Sequence, residues 1–133
     1  MAAKKIIQEW LLAANKDLTI AREDIGKPER REDVGFHCQQ SAEKFLKAFI
    51  ISKNLEFRPT HDLETLLRIC LQQNKEFESI KTACKMLSPF YIRTRYPGFE
   101  EKLTSKEIKE LLGYAETIAK FVRKFVRTKV KLG

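Results

Sequence analysis

Apolar residues recur every three or four positions along most of the chain, which is the spacing of one face of an α-helix. The first such set is Ile7, Trp10, Leu11, Ala14, Leu18, Ala21 and Ile25. It predicts a helix over residues 3–24. Gly26 and Pro28 then interrupt the pattern, because glycine loosens the backbone and proline lacks an N–H donor. We expect a polar loop from there to about residue 33.

The second predicted helix, over residues 34–53, separates an apolar face from a polar one. The apolar face carries Cys38, Ala42, Phe45, Leu46 and Phe49. The polar face carries His37, Gln40, Lys44 and Lys47. We predict that the first set enters the core and that the second presents hydrogen-bond donors and positive charge to the outside. This polar face is the first candidate ligand-binding surface.

Three further helices are predicted, and no alternating strand pattern accompanies them. A short helix over residues 62–73 follows Thr60 and Asp62, either of which can cap it. A fourth carries apolar residues at helical spacing and ends near residues 88–89. The last begins after Thr104, with Glu107 placed to complete a capping box. We therefore predict an all-α, antiparallel up-and-down bundle of four main helices and one short helix, in a single domain over residues 1–133.

The segment over residues 90–102 is aromatic and cationic. It contains Tyr91, Arg93, Arg95 and Tyr96, followed by a Pro-Gly turn. Guanidinium groups beside rings suit phosphate pairing and base stacking. Alternatively, the rings seal the core beside a loop and an arginine caps a helix end. The pattern leaves both interpretations open.

The net charge of +8 is concentrated at the C-terminal end, where there is no acid after Glu116. The remainder of the chain carries about +2, and six cations at this end supply +6: Lys120, Arg123, Lys124, Arg127, Lys129 and Lys131. Such an end attracts phosphates, anionic lipid or an acidic protein surface, or it serves only as a solubilising tail.

Several kinds of chemistry find little support in the residues. The two histidines, His37 and His61, lack the spacing of metal ligands, and the glycines form no phosphate loop, so we expect no metal and no cofactor. The three cysteines fall within apolar patterns and are predicted to be reduced core residues. There is no signal peptide and no apolar run long enough for a membrane span, so a cytoplasmic location is the expectation.

His61 and Asp62 stand together at the predicted start of the third helix. Backbone N–H groups at a helix start favour an anion, and an imidazole could donate to it. The alternative, that His61 closes a turn and Asp62 caps the helix, is favoured because capping residues are common at such junctions.

Three blocks in this order resemble the HEPN domain. They read FHCQQSAEKFLKA over residues 36–48, PTHDL over residues 59–63 and YIRTRYP over residues 91–97. The resemblance implies an antiparallel helical bundle, often a homodimer. Such domains are frequently encoded beside a minimal nucleotidyltransferase in toxin–antitoxin-like modules and are proposed to bind nucleotides. It also implies a nucleotide or RNA as ligand. The polar face of the second helix, the start of the third helix and the aromatic and cationic segment supply the candidate binding residues: His37, Gln40, Lys44, Lys47, His61, Asp62, Tyr91, Arg93, Arg95 and Tyr96.

Many proteins of the HEPN family are metal-independent ribonucleases that use an arginine, four to six residues and then a histidine. This chain departs from that pattern, because no histidine follows Arg93 or Arg95. Arg31 and His37 have the right spacing but lie earlier in the chain than the family's pair. If they acted, His37 would move a proton at the 2′-hydroxyl and Arg31 would steady the phosphate. A binding module is therefore the leading hypothesis, with a ribonuclease using the displaced pair and a purely dimerising scaffold as alternatives.

Overall fold

A computed structural model describes residues 2–56, 59–93 and 103–126, and within them every regular element is helical. The helices are α1 (Ala2–Asp24), α2 (Arg31–Ser52), α3 (Leu63–Gln73), α4 (Lys81–Leu87), α5 (Phe90–Arg93) and α6 (Ser105–Arg123). Short 3-10 helices precede α2 (Pro28–Arg30) and α4 (Lys75–Ile80). The predicted all-α bundle is confirmed.

Helix α2 lies at the centre of the bundle and packs against α1, α3, α4, α5 and α6. One apolar cluster joins these helices, with Leu18 of α1, Phe45 and Phe49 of α2 and Ile118 of α6 all fully buried. Aromatic rings close one end of it, and the centroids of Phe49 and Phe77 are 4.4 Å apart. Because neighbours surround α2 on most sides, polar residues of this helix are also drawn into the interior.

The predicted helix starts are confirmed by their caps. The Asp62 side chain accepts a hydrogen bond from the Glu64 N–H at 3.2 Å and so caps α3. At α6, the Thr104 hydroxyl accepts from the Glu107 N–H at 3.1 Å, and the Glu107 carboxylate accepts from the Thr104 N–H at 3.0 Å. This reciprocal pair is the capping box that the sequence indicates.

Two segments predicted as loops are partly helical. Residues 28–33 form a 3-10 turn followed by the first turn of α2, which begins at Arg31. Residues 90–93 form the one-turn helix α5, which lies against α2. The contact is tight, since a Cβ atom on Gly35 would stand 2.7 Å from Cδ1 of Phe90. A glycine in α2 therefore lets α5 pack where a loop was expected.

The three cysteines are buried and free, as predicted for core residues. Loss of hydration raises the pKa of Cys38, Cys70 and Cys84 to about 12, because burial disfavours a thiolate. None of the described helices combines the length and the apolar character that a bilayer crossing requires.

Candidate ligand-binding site

A buried carboxylate, Glu43 of α2, organises a polar network beneath the surface of the bundle. Glu43 is 3% exposed. Its Oε2 accepts a hydrogen bond from Lys47 Nζ at 2.8 Å, and its Oε1 lies 2.8 Å from Nδ1 of His61. The spacing of Glu43 and Lys47, one helical turn apart, brings the two charges together on α2.

Lys47 is not the outward-facing cation that the polar-face pattern predicts. It is only 6% exposed, and its ammonium lies 5.6 Å from the ring centre of Trp10 in α1. The prediction of its position is wrong because Trp10 covers this part of α2, and the Glu43 carboxylate makes burial of the charge tolerable.

Two glutamines extend the network toward the surface. Gln39, fully buried, donates from Nε2 to the backbone oxygen of His61 at 2.9 Å and more weakly to Glu43 Oε1 at 3.5 Å. Gln40, half-buried, donates from Nε2 to Gln39 Oε1 at 2.7 Å and to the same Glu43 oxygen at 3.5 Å. The loop before α3 is thereby fixed to α2 through His61.

Three rings are stacked one against the next at the edge of this network, and we call them the aromatic row: Phe36, Tyr91 and His61. The rings of His61 and Tyr91 are stacked with centroids 3.9 Å apart and planes 15° from parallel. Tyr91 and Phe36 are stacked more loosely, at 6.4 Å and 26°. The row joins the loop before α3, helix α5 and helix α2, and about half of the His61 side chain, 46%, is exposed.

A second carboxylate, Asp17 of α1, binds the neighbouring turns of α2. Its Oδ1 lies 2.8 Å from Nδ1 of His37, and its Oδ2 accepts a hydrogen bond from Lys44. Asp17 is 7% exposed, whereas the side chains of His37 and Lys44 are 24% and 26% exposed. Both groups are thus held at the rim, and Asp17 partly offsets the charge of Lys44.

These groups define one surface, which we call the α2 strip. It consists of the aromatic row together with His37, Gln40 and Lys44. Five of its six members were candidates from the sequence: His37, Gln40, Lys44, His61 and Tyr91. Whether they bind a ligand stays a prediction, but the structure brings them together. Phe36 was missed, although its helical spacing from Gln40 places it on the same side of α2.

The remaining candidates lie elsewhere or outside the described part of the chain. Asp62 serves as the cap of α3 and accepts further hydrogen bonds from the hydroxyls of Thr65 at 2.7 Å and Ser88 at 3.2 Å. Burial acts to raise the pKa of Asp62, but these bonds outweigh it and leave the pKa lowered. Arg93 ends α5, with its side chain outside the described atoms, and Arg95 and Tyr96 lie outside the described residues.

Arg31 and His37, the alternative catalytic pair, do not converge within the chain. Arg31 donates from Nη1 to the backbone oxygen of Leu103 at 3.1 Å, whereas His37 is bound to Asp17. Side chains six positions apart on an α-helix also point in directions that differ by about 120°. The two groups therefore do not face one phosphate together in this structure.

Two carboxylates that the sequence reasoning did not single out, Asp17 and Glu43, turn out to organise the site. Glu43 stands four residues before Lys47, a spacing that signals an ion pair on a helix. No comparable local signal points to Asp17, because its partners come from another helix. Among the described residues, no three histidine, cysteine, aspartate or glutamate side chains are grouped as a metal site would require.

The structure defines the class of the domain as a helical bundle with a polar, ring-lined strip on its central helix. Comparison with known families identifies the domain, since the HEPN domain model matches residues 7–125. The chain belongs to the HEPN family, and at that level it is a nucleotide- or RNA-related protein.

A solved structure agrees with this assignment of the fold. The crystal structure of TT1696 from Thermus thermophilus is similar, with a TM-score of 0.74 and 26% sequence identity. The match covers 89% of this chain and 96% of that one. No curated protein matches.

Proposed function

We propose that the chain is a binding module for a nucleotide or a single-stranded nucleic acid, and that the ligand lies on the α2 strip. The observation that carries the proposal is the aromatic row, in which Tyr91 is stacked against both His61 and Phe36, and the His61 side chain at one end of the row is 46% exposed. Bases stack on such rings with about 1–3 kcal/mol per base, largely without regard to sequence.

The charges in the strip and beneath it favour recognition of the base over capture of a phosphate. Lys44 is hydrogen-bonded to Asp17, and Lys47 is buried against Glu43, so each cation has a carboxylate beside it. A phosphate gains less from a cation that is already paired. In this proposal Arg93 and Arg95 bind the phosphates, which is one of the two interpretations of their segment, while the strip binds the base.

The family resemblance extends the proposal to partners. We place the chain as a homodimer that works beside a minimal nucleotidyltransferase in a toxin–antitoxin-like module. Support for this part comes from the HEPN assignment. Co-purification of the chain with a minimal nucleotidyltransferase from the same genome, followed by a mass measurement in solution, tests it. Separate elution of the two proteins would contradict it.

Binding itself is tested by titrating short fluorescent single-stranded RNA with the protein at low salt. Tyr91→Ala removes the ring against which His61 is stacked, and we expect about a tenfold loss of affinity, within the range for the loss of one base stack. Lys85→Ala is the matched control, since Lys85 is exposed on α4 and outside the strip. A loss for Lys85→Ala without a loss for Tyr91→Ala would show that the RNA binds by charge alone and would contradict the proposed site.

The scaffold alternative predicts a different result from the same experiment. If neither RNA nor nucleotides bind, and the chain still assembles with its partner, the α2 strip is a structural feature of the bundle. The proposed function would then be wrong, and dimerisation would be the function left.

A further inference from the structure

Glu43 also determines which atoms of the strip can donate hydrogen bonds and which can accept them. An ionised carboxylate only accepts, so every group bonded to it must donate. Its Oε1 contacts Nδ1 of His61 and the amide nitrogens of Gln39 and Gln40. His61 therefore carries its proton on Nδ1, and both amides turn their nitrogen toward Glu43.

The neighbouring contacts require the same orientation of the amides. Gln39 Nε2 faces a second acceptor, the backbone oxygen of His61, at 2.9 Å. Gln39 Oε1 is then left to accept from Gln40 Nε2 at 2.7 Å. If either amide were rotated, oxygen would face oxygen at one of these contacts, so the network has one consistent arrangement.

The outer edge of the site is consequently an accepting edge. Gln40 directs its nitrogen inward and keeps Oε1 as an acceptor. In the neutral imidazole of His61, Nε2 is an acceptor as well. The hydrogen bonds of these two side chains within the network use Gln40 Nε2 and His61 Nδ1, and both side chains are partly or largely exposed. The two side chains are neighbours on the strip, since Gln40 Nε2 and His61 Nδ1 contact the same Glu43 oxygen at 3.5 Å and 2.8 Å.

We propose that Glu43, acting through Gln40 and His61, makes the α2 strip selective for a nucleobase whose edge donates hydrogen bonds. Guanine fits best among the common bases, because its ring N–H and its exocyclic amine are adjacent donors. Uracil offers one N–H between two carbonyl oxygens, which would face the acceptors of the site. In this role Glu43 is a positioning residue, and Gln40 is the residue that contacts the base. The inference rests on the proposed function.

The test compares guanosine and inosine monophosphates, which differ only in the exocyclic amine. Binding of each to the full chain is followed by NMR titration in the same buffer. We expect guanosine monophosphate to bind about fivefold more tightly than inosine monophosphate, as one added hydrogen bond allows. Uridine monophosphate should bind more weakly than either.

Gln40→Met provides the matched variant, since it keeps the length of the side chain and removes the amide. We expect the ratio of the guanosine and inosine affinities to fall to about one, while both nucleotides still bind through the rings. Far-UV circular dichroism checks that the variant is folded. If Gln40→Met unfolds, the wild-type ratio alone decides.

The outcomes distinguish a failure of the base selectivity from a failure of the proposed function. Equal affinities of guanosine and inosine monophosphates for the wild-type chain overturn the selectivity and leave the binding site in place. An unchanged ratio in folded Gln40→Met overturns the role of Gln40. Absence of binding by all the nucleotides overturns the proposed function and this inference with it.

Discussion

Glu43→Gln replaces the carboxylate that holds Lys47 inside the bundle, and it provides a direct test of the network beneath the strip. The Nζ and Oε2 atoms are 2.8 Å apart, and the side chains are only 7% and 4% exposed. At an effective dielectric constant near 20, two charges at that distance attract by about 6 kcal/mol. Removing them from water costs several kcal/mol for each ion, so the net contribution of the intact pair is small.

Removing only one partner of the pair lowers the free energy of unfolding by more than the intact pair contributes to it. Glu43→Gln leaves the Lys47 ammonium buried without its counter-charge, and such changes cost about 3–5 kcal/mol. Glutamine preserves the size of the side chain and some of its hydrogen bonds, so we expect a cost at the lower end of this range, about 3 kcal/mol. For a chain of this length that corresponds to a fall in melting temperature of roughly 10 °C.

The assay is urea unfolding followed by circular dichroism, with Glu43→Gln measured alone and in combination with Lys47→Met. The second substitution removes the stranded charge, and the double variant should recover at least about 1 kcal/mol relative to Glu43→Gln. A loss below about 1 kcal/mol for Glu43→Gln, or a double variant less stable than the single one, would refute the ion-pair reasoning.

Three further predictions concern the bundle itself. Gly35→Ala should destabilise the fold by about 1–2 kcal/mol, because the new Cβ would stand 2.7 Å from Phe90. Gly113→Ala has nothing within 4 Å of the new Cβ and should stabilise α6 by about 0.5–1 kcal/mol. Urea unfolding measures both changes, and equal effects would contradict the packing argument. Asp62→Ala should cost about 1 kcal/mol of unfolding free energy at neutral pH through loss of the cap. Because the folded-state pKa of Asp62 is lowered, the stabilisation by this carboxylate is complete above the unfolded-state pKa and is lost as the pH falls through the folded-state pKa. The difference in unfolding free energy between wild type and Asp62→Ala should therefore shrink in acid. A difference that stays constant with pH would argue against a charged cap. The three buried cysteines, whose pKa is raised to about 12, should react with a thiol reagent only after denaturant is added, and rapid reaction of the native protein would contradict their burial.

The sequence was sufficient to predict the helices, because their signals are local. The apolar spacing of α1 and the paired residues Thr104 and Glu107 at the start of α6 depend only on neighbours within a few positions. The boundaries failed where packing between distant segments decided the structure. Helix α5 is the example, since it is placed by contact between Phe90 and Gly35.

The candidate site was predictable only in part for the same reason. Sorting α2 into two faces found His37 and Gln40, but it placed Lys47 outside, because the pattern does not reveal that Trp10 of α1 covers it. The aromatic row joins residues 36, 61 and 91, which no local spacing connects. Glu43 escaped notice because a lone acid on a helix is usually a solvated residue.

The claim that a nucleotide or RNA binds on the α2 strip is tested most directly by NMR mapping. The wild-type chain is titrated with guanosine monophosphate and with a short single-stranded RNA, and shifts of individual residues are recorded. We predict that the largest shifts fall on Phe36, Gln40, His61 and Tyr91, and that Lys85 on α4 changes little. Saturable binding that shifts residues elsewhere and leaves the α2 strip unchanged would contradict the account.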